Sequence, residues 1–141
     1  LPLFDFKKAS GGYVFNGCSS LETIPAWDVR KGSSFDWFFG CTKLKTILMY
    51  GMSAPINISY STRFEASDLV TIISNCQVIT NSFKITMGST NLAKLENVYV
   101  KETGVELYEG ITCNPCVICE STDEGAMLVT TYATNKGWTL A

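Results

Sequence analysis

The chain has 141 residues, 46% apolar and 17% charged, with a net charge of −2 and no histidine. Such a composition suits one packed domain that buries about two-thirds of its unfolded surface, and it excludes wholesale disorder. It gives no electrostatic ground for nucleic acid or an anionic membrane as partner, no apolar run approaches the ~20 residues of a bilayer span, and a Ser-His-Asp or Cys-His centre cannot be built from this chain.

The sequence opens on Leu1-Pro2-Leu3-Phe4, without an initiator Met and without the basic start and apolar run of a signal peptide. It is therefore expected to be cut from a longer protein. An internal repeat follows at once. Residues 1–23 laid over residues 24–46 without a gap give nine identities, among them Pro2/Pro25, Asp5/Asp28, Lys8/Lys31, Phe15/Phe38, Gly17/Gly40, Cys18/Cys41, Leu21/Leu44 and Thr23/Thr46. A third unit starts in phase at Ile47 and then fades. A period in the low twenties is too short for helix pairs and matches the leucine-rich-repeat range of roughly 20–29. Leu21-x-x-Ile24-x-Ala26-x-x-Val29 and Leu44-x-x-Ile47-x-Met49-x-x-Met52 then predict successive parallel strands. Positions 24 and 26 would point inward and 25 and 27 outward. Tyr13–Phe15 and Phe35–Phe39 would form the opposite wall, with Gly17 and Gly40 permitting the corner.

Beyond residue 61 the chain is expected to be a cap closing the array. Leu69, Ile72, Ile73 and Cys76 at i, i+3, i+4, i+7 predict a helix over 67–76, capped by Ser67. Ser82–Met87 alternates and predicts a strand ending at Gly88. Residues 96–120 read as an insertion, with Val98–Val100 and Val105–Tyr108 as a hairpin around Glu102-Thr103-Gly104, and Val117–Cys119 as a further strand. Ser121-x-x-Glu124 predicts a capping box opening a helix through Lys136, stopped by Gly137, before a short strand at Trp138–Leu140.

Two sets of residues are candidates for a site. The first is an aromatic column, Phe4, Trp27 and Tyr50, spaced 23 residues apart at outward strand positions. Rungs about 4.8 Å apart would bring the rings into one stacking surface for sugar rings or an extended peptide. Lys7, Arg30, Asp5 and Asp28 would border it. The plainer alternative is that each ring covers its neighbour and seals the ladder. The second set is Cys113-x-x-Cys116-x-x-Cys119. A zinc site there would need Cys76 or a carboxylate such as Glu120 as fourth ligand, and strand spacing would turn Cys116 away from the other two. A disulfide, Cys113–Cys116 or Cys113–Cys119, and free thiols are the other readings. Cys18 and Cys41 are expected to be two buried free thiols filling space. Glu102, Glu106 and Glu109 are expected to be solvated, and nothing pairs two carboxylates for acid–base work.

Phe-Asn-Gly-Cys-Ser-Ser-Leu-Glu-Thr-Ile-Pro (15–25) and Phe-Phe-Gly-Cys-Thr-Lys-Leu-Lys-Thr-Ile (38–47) resemble the BspA-type leucine-rich repeats, with the pattern F-x-G-C-x-x-L-x-x-I-x-(P). The resemblance covers residues 1–52, and the Gly-Trp-Thr-Leu-Ala ending is similar to the closing segment of such arrays. It implies a bacterial surface or secreted protein associated with adhesion. The resulting expectation is an α/β leucine-rich-repeat solenoid (1–61) with an α/β capping region (62–141). It would act without catalysis or cofactor, extracellularly or at the cell surface, on a host or environmental protein or glycan. The alternatives are a structural spacer or virion-fibre component without a ligand, and a zinc-stabilised module.

Overall fold

A computed structural model describes residues 12–30, 36–104 and 110–141. Phe4, Asp5, Lys7, the Lys8/Lys31 pair, Phe35, the expected strand Val105–Tyr108, Glu106 and Glu109 lie outside these residues. In chain order the elements are β1 (Thr23–Ile24), a 3-10 turn (Asp36–Phe38), β2 (Thr46–Ile47), β3 (Ile56–Asn57), α1 (Ala66–Asn75), β4 (Phe83–Thr86), α2 (Ser89–Lys94), β5 (Tyr99–Glu102), β6 (Cys116–Cys119), β7 (Met127–Leu128), α3 (Val129–Asn135) and β8 (Trp138–Leu140).

This is a small α/β protein, and the predicted leucine-rich-repeat solenoid is overturned. The strands of the described residues fall into three short sheets, β1-β2, β3-β4-β8 and β6-β5-β7, the first two parallel and the last antiparallel. No single parallel ladder runs through them. Thr23 does face Thr46 and Ile24 faces Ile47, 23 residues on, but the pairing then slips, and Asp28 is bridged to Tyr50. The slip has a local cause. The Trp27 N–H donates to the Pro25 carbonyl at 2.8 Å, a three-residue γ-turn that absorbs one residue of the first segment. A shift of one residue exchanges the faces of an extended chain. Ala26 is accordingly exposed, where an inward position was expected, and Trp27 is buried. In the second segment, which lacks the turn, Ile47 and Met49 point inward as the alternation predicts.

α1 forms because its apolar positions lie on one face: Leu69, Ile72 and Ile73 are buried in the common core. Its cap is Glu65 rather than Ser67. The Glu65 N–H donates to the Asp68 carboxylate at 2.9 Å, and that carboxylate also complements the positive end of the helix. β4 follows where the alternating run predicts it, and Gly88 at φ +81° ends it. α2, which the sequence pattern does not signal, is held from outside: Asn91 donates to the Ser61 and Met87 carbonyls, and Lys94 Nζ to the Thr62 and Phe64 carbonyls.

The insertion also differs from expectation. β5 pairs with β6 on one side and β7 on the other, so the partner of Val98–Val100 comes from 116–119 and 127–128. The last helix does not start at Ser121. Residues 121–125 form turns, Gly125 sits at φ +78°, and Met127–Leu128 are drawn into the sheet beside Tyr99 and Val100. Seven residues from Val129 remain for α3. One core joins all three sheets, with Trp37, Phe38, Phe64, Tyr132 and Trp138 as its largest side chains.

Candidate functional site

Of the predicted column, Phe4 lies outside the described residues, and Trp27 does not take the outward position expected of it. Trp27 is 3% exposed and stacks on Phe15, with centroids 6.0 Å apart and planes 13° from parallel. Its ring belongs to the core. Tyr50 is half-buried opposite Asp28. Arg30 is clamped by Asp28, its Nε 2.9 and 2.8 Å from the two carboxylate oxygens and a terminal nitrogen 2.7 Å from one of them. That hydrogen-bonded carboxylate raises the guanidinium's pKa above its usual value. The fork ties Arg30 to the chain turn after β1.

A different aromatic row stands on the surface. Tyr13 is 59% exposed and Phe39 48%, and Phe39 lies between Tyr13 and the half-buried Tyr60. Successive centroids are 6.3 and 4.9 Å apart, and the rings meet edge to face at 88° and 63°. Each ring is set by a turn. The Gly17 N–H donates to the Phe39 carbonyl at 2.8 Å and the Asn16 N–H to the Tyr13 carbonyl at 3.1 Å. Tyr13 has φ +72°, a conformation that costs a residue with a side chain about 1–2 kcal/mol. Burial does not offset that cost, since the ring faces water. A bulky exposed residue in this conformation makes the turn a candidate surface. The fixed 23-residue column misses this row because its rings come from turns and do not recur at that spacing.

The cysteines divide into two groups. All six thiols are free. Cys41 is buried, with its Sγ 3.2 Å from the Phe15 carbonyl, whereas Cys18 is exposed, contrary to the expected matched pair. Cys113 and Cys116 both turn inward, because Asn114 at φ +47° bends the chain between them. Cys119 lies opposite Tyr99 on the other face of β6. Cys113, Cys116 and Cys119 therefore do not converge, and among the described residues no three Cys, Asp or Glu side chains are gathered as a metal would require.

Cys113 and Cys116 instead border a buried lysine. Lys136 is 1% exposed, and its Nζ donates to the Ile73 and Ser74 carbonyls at 3.0 Å each and to Tyr132 Oη at 3.2 Å. Tyr132 Oη in turn donates to the Asn114 carbonyl. The ammonium lies 5.2 Å from the centre of the Tyr132 ring. Burial lowers the Lys136 pKa and raises those of Cys113 and Cys116, while the fully buried Cys76 is pushed up to about 12. Thiols held in the protonated form suit packing rather than nucleophilic chemistry.

These shifts fix a pH dependence. A thiol whose folded pKa lies above its ordinary value of 9.0 stabilises the fold fully below pH 9 and loses that contribution as the pH rises towards the folded value. For Cys76 the loss is about 1.4 kcal/mol per pH unit between 9 and 12. The lowered Lys136 acts in the opposite sense over the window below its ordinary 10.5, one amine against three thiols. Stability measured by urea unfolding is therefore expected to fall from pH 9 upward. Cys76→Ala should flatten the slope whatever it does to the value at pH 7, and an unchanged slope would show that Cys76 titrates normally.

No family model, curated protein or solved structure matches the chain. The described helices include none long and apolar enough to cross a membrane.

Proposed function

We propose that the chain is a non-catalytic recognition scaffold that acts at the bacterial exterior and holds a protein or glycan through Tyr13, Phe39 and Tyr60. The observation that carries this reading is the exposed, edge-to-face row of three rings, one of them on a strained backbone. Exposed aromatic surface of this kind is concentrated at interaction sites. The exterior location is supported by the resemblance of residues 15–25 and 38–47 to the BspA-type pattern.

The test is binding of the wild type and Phe39→Ala to an array of glycans and extracellular-matrix proteins. Phe39 is half out of the fold, so its truncation should leave the circular dichroism spectrum unchanged and weaken a ligand on the row about tenfold or more. Binding that survives the substitution would move the site elsewhere. An array on which neither protein binds would leave the row without a ligand and favour the structural-spacer alternative.

A further inference from the structure

We propose that Asn16 is a site of spontaneous modification, at which the Gly17 main-chain nitrogen closes on the Asn16 side chain and turns its amide into an acid. Asparagine is among the heat-labile residues, and the reaction is fastest before glycine, which has no Cβ to hinder its nitrogen. No other asparagine of the chain is followed by glycine. Asn16 and Gly17 are both exposed, and a Cβ built at Gly17 would meet nothing within 4 Å. Water and the closing side chain therefore have room. The corresponding turn 23 residues on has Gly40 at φ +76°, against +75° for Gly17, but carries Phe39 in place of Asn16 and cannot cyclise.

The step balances without oxidant or reductant. A bond forms between the Gly17 nitrogen and Asn16 Cγ, the Cγ–Nδ2 bond breaks, and ammonia leaves with the proton of the Gly17 N–H. Water then opens the succinimide. Cleavage of the new bond leaves aspartate, and cleavage of the old peptide bond leaves isoaspartate, whose main chain is one methylene longer. Either product adds one negative charge to the net −2.

The fold controls both the rate and the consequence. The Gly17 N–H donates to the Phe39 carbonyl at 2.8 Å, so this nitrogen must leave Phe39 before it can attack. The Asn16 N–H donates to the Tyr13 carbonyl at 3.1 Å, so the reacting pair also holds the turn of the other exposed ring. The succinimide has no Gly17 N–H, and the longer isoaspartate chain displaces it. The Phe39 carbonyl then loses its donor, leaving the Phe15 N–H to the Trp37 carbonyl at 2.9 Å as the neighbouring link. The edge-to-face contact of Tyr13 with Phe39, at 6.3 Å, is the contact that loosens. A turn that opens becomes modified and does not close as before, so residue 16 keeps a record of how often this surface has opened.

The experiment is storage of the whole chain in warm, mildly alkaline buffer, folded and in urea, followed by peptide mapping with mass spectrometry. Asn16 should become a mixture of aspartate and isoaspartate ahead of every other asparagine. The folded chain should convert about two- to tenfold more slowly than the unfolded one, the worth of the Gly17–Phe39 hydrogen bond. Converted folded protein should lose part of its near-ultraviolet circular dichroism as Tyr13 and Phe39 part. Asn16→Gln, exposed and far slower to cyclise, should keep both its mass and its spectrum. An Asn16 that stays intact in the folded chain while converting in urea would overturn the site. Equal rates in the two states would overturn the control by Phe39, and a converted chain with an unaltered spectrum would overturn the effect on the rings. The reaction uses no ligand, so each of these results is independent of what the aromatic row binds.

Discussion

Lys136→Met is expected to destabilise the protein by about 3 kcal/mol, seen as a lower urea midpoint with an unchanged slope. The lysine is the polar hub of the second half of the chain. Its Nζ bonds two carbonyls at the end of α1, 62 and 63 residues away in sequence, and the hydroxyl of Tyr132 on its own helix. A cation at that place also complements the negative end of the α1 dipole. Two effects oppose each other on substitution. Removing a buried ammonium relieves its desolvation, which alone would favour Met. Against that, three buried groups lose a donor: the Ile73 carbonyl, which keeps the Cys76 N–H at 3.2 Å, the Tyr132 hydroxyl, which still donates to the Asn114 carbonyl, and the Ser74 carbonyl, which bears most of a cost of about 1–3 kcal/mol per group left unsatisfied. Three acceptors outweigh one cation already well solvated by them. A Met variant as stable as the wild type would show that desolvation dominates and that the hub is dispensable.

Gly137→Ala is expected to cost about 4 kcal/mol, combining left-handed backbone strain with overpacking, and to lower the melting temperature by roughly 15 °C. Gly137 has φ +93°, and a Cβ there would run into the Ile79 carbonyl oxygen and stand 2.7 Å from Ile79 Cγ1. The oxygen is backbone and cannot swing aside. Relief would have to come from the neighbouring bonds, Ile79 N–H to Lys136 O at 2.9 Å and Phe83 N–H to Gly137 O at 3.2 Å, which tie β8 to the rest. Gly104→Ala is the control. Its φ is +69°, but an added Cβ meets nothing within 4 Å, so it carries the backbone strain alone, about 1 kcal/mol. Equal losses at the two positions would mean that the close approach to Ile79 has no energetic weight.

What the sequence discloses here is mostly local. α1 was legible because Leu69, Ile72 and Ile73 repeat with the helical period, and β4 because Phe83–Thr86 alternates. β8 was legible from the apolar residues after Gly137. α2 was not, because its Ser-Thr-Asn-Leu-Ala-Lys run has no apolar period and rests on the distant contacts of Asn91 and Lys94. The solenoid expectation failed where a fixed period was extended past its local support. It assumed that every position of residues 24–29 would match its counterpart in 47–52, and the γ-turn at Pro25–Trp27 breaks that correspondence. The same assumption placed Trp27 outside. Tyr13 and Phe39 were placed only in the solenoid's opposite wall and Tyr60 was not singled out, because turn geometry, not recurrence, sets their directions. The role of Lys136 depends on contacts more than sixty residues distant, for which no sequence spacing stands as a sign.

That γ-turn has a consequence for how molecules of this protein keep apart. Two stretches as alike as 15–25 and 38–47 invite exchange, in which one chain's copy docks where a neighbour's should. The extra residue taken up at Pro25–Trp27 makes the two edges unequal, as a notch makes a key. A stretch from a second molecule entering in the wrong order meets Thr23 and Ile24 in register and then finds Asp28 one step out of place, with Trp27 already inside. A small irregularity in one strand thus favours a chain pairing with itself when many copies are made side by side.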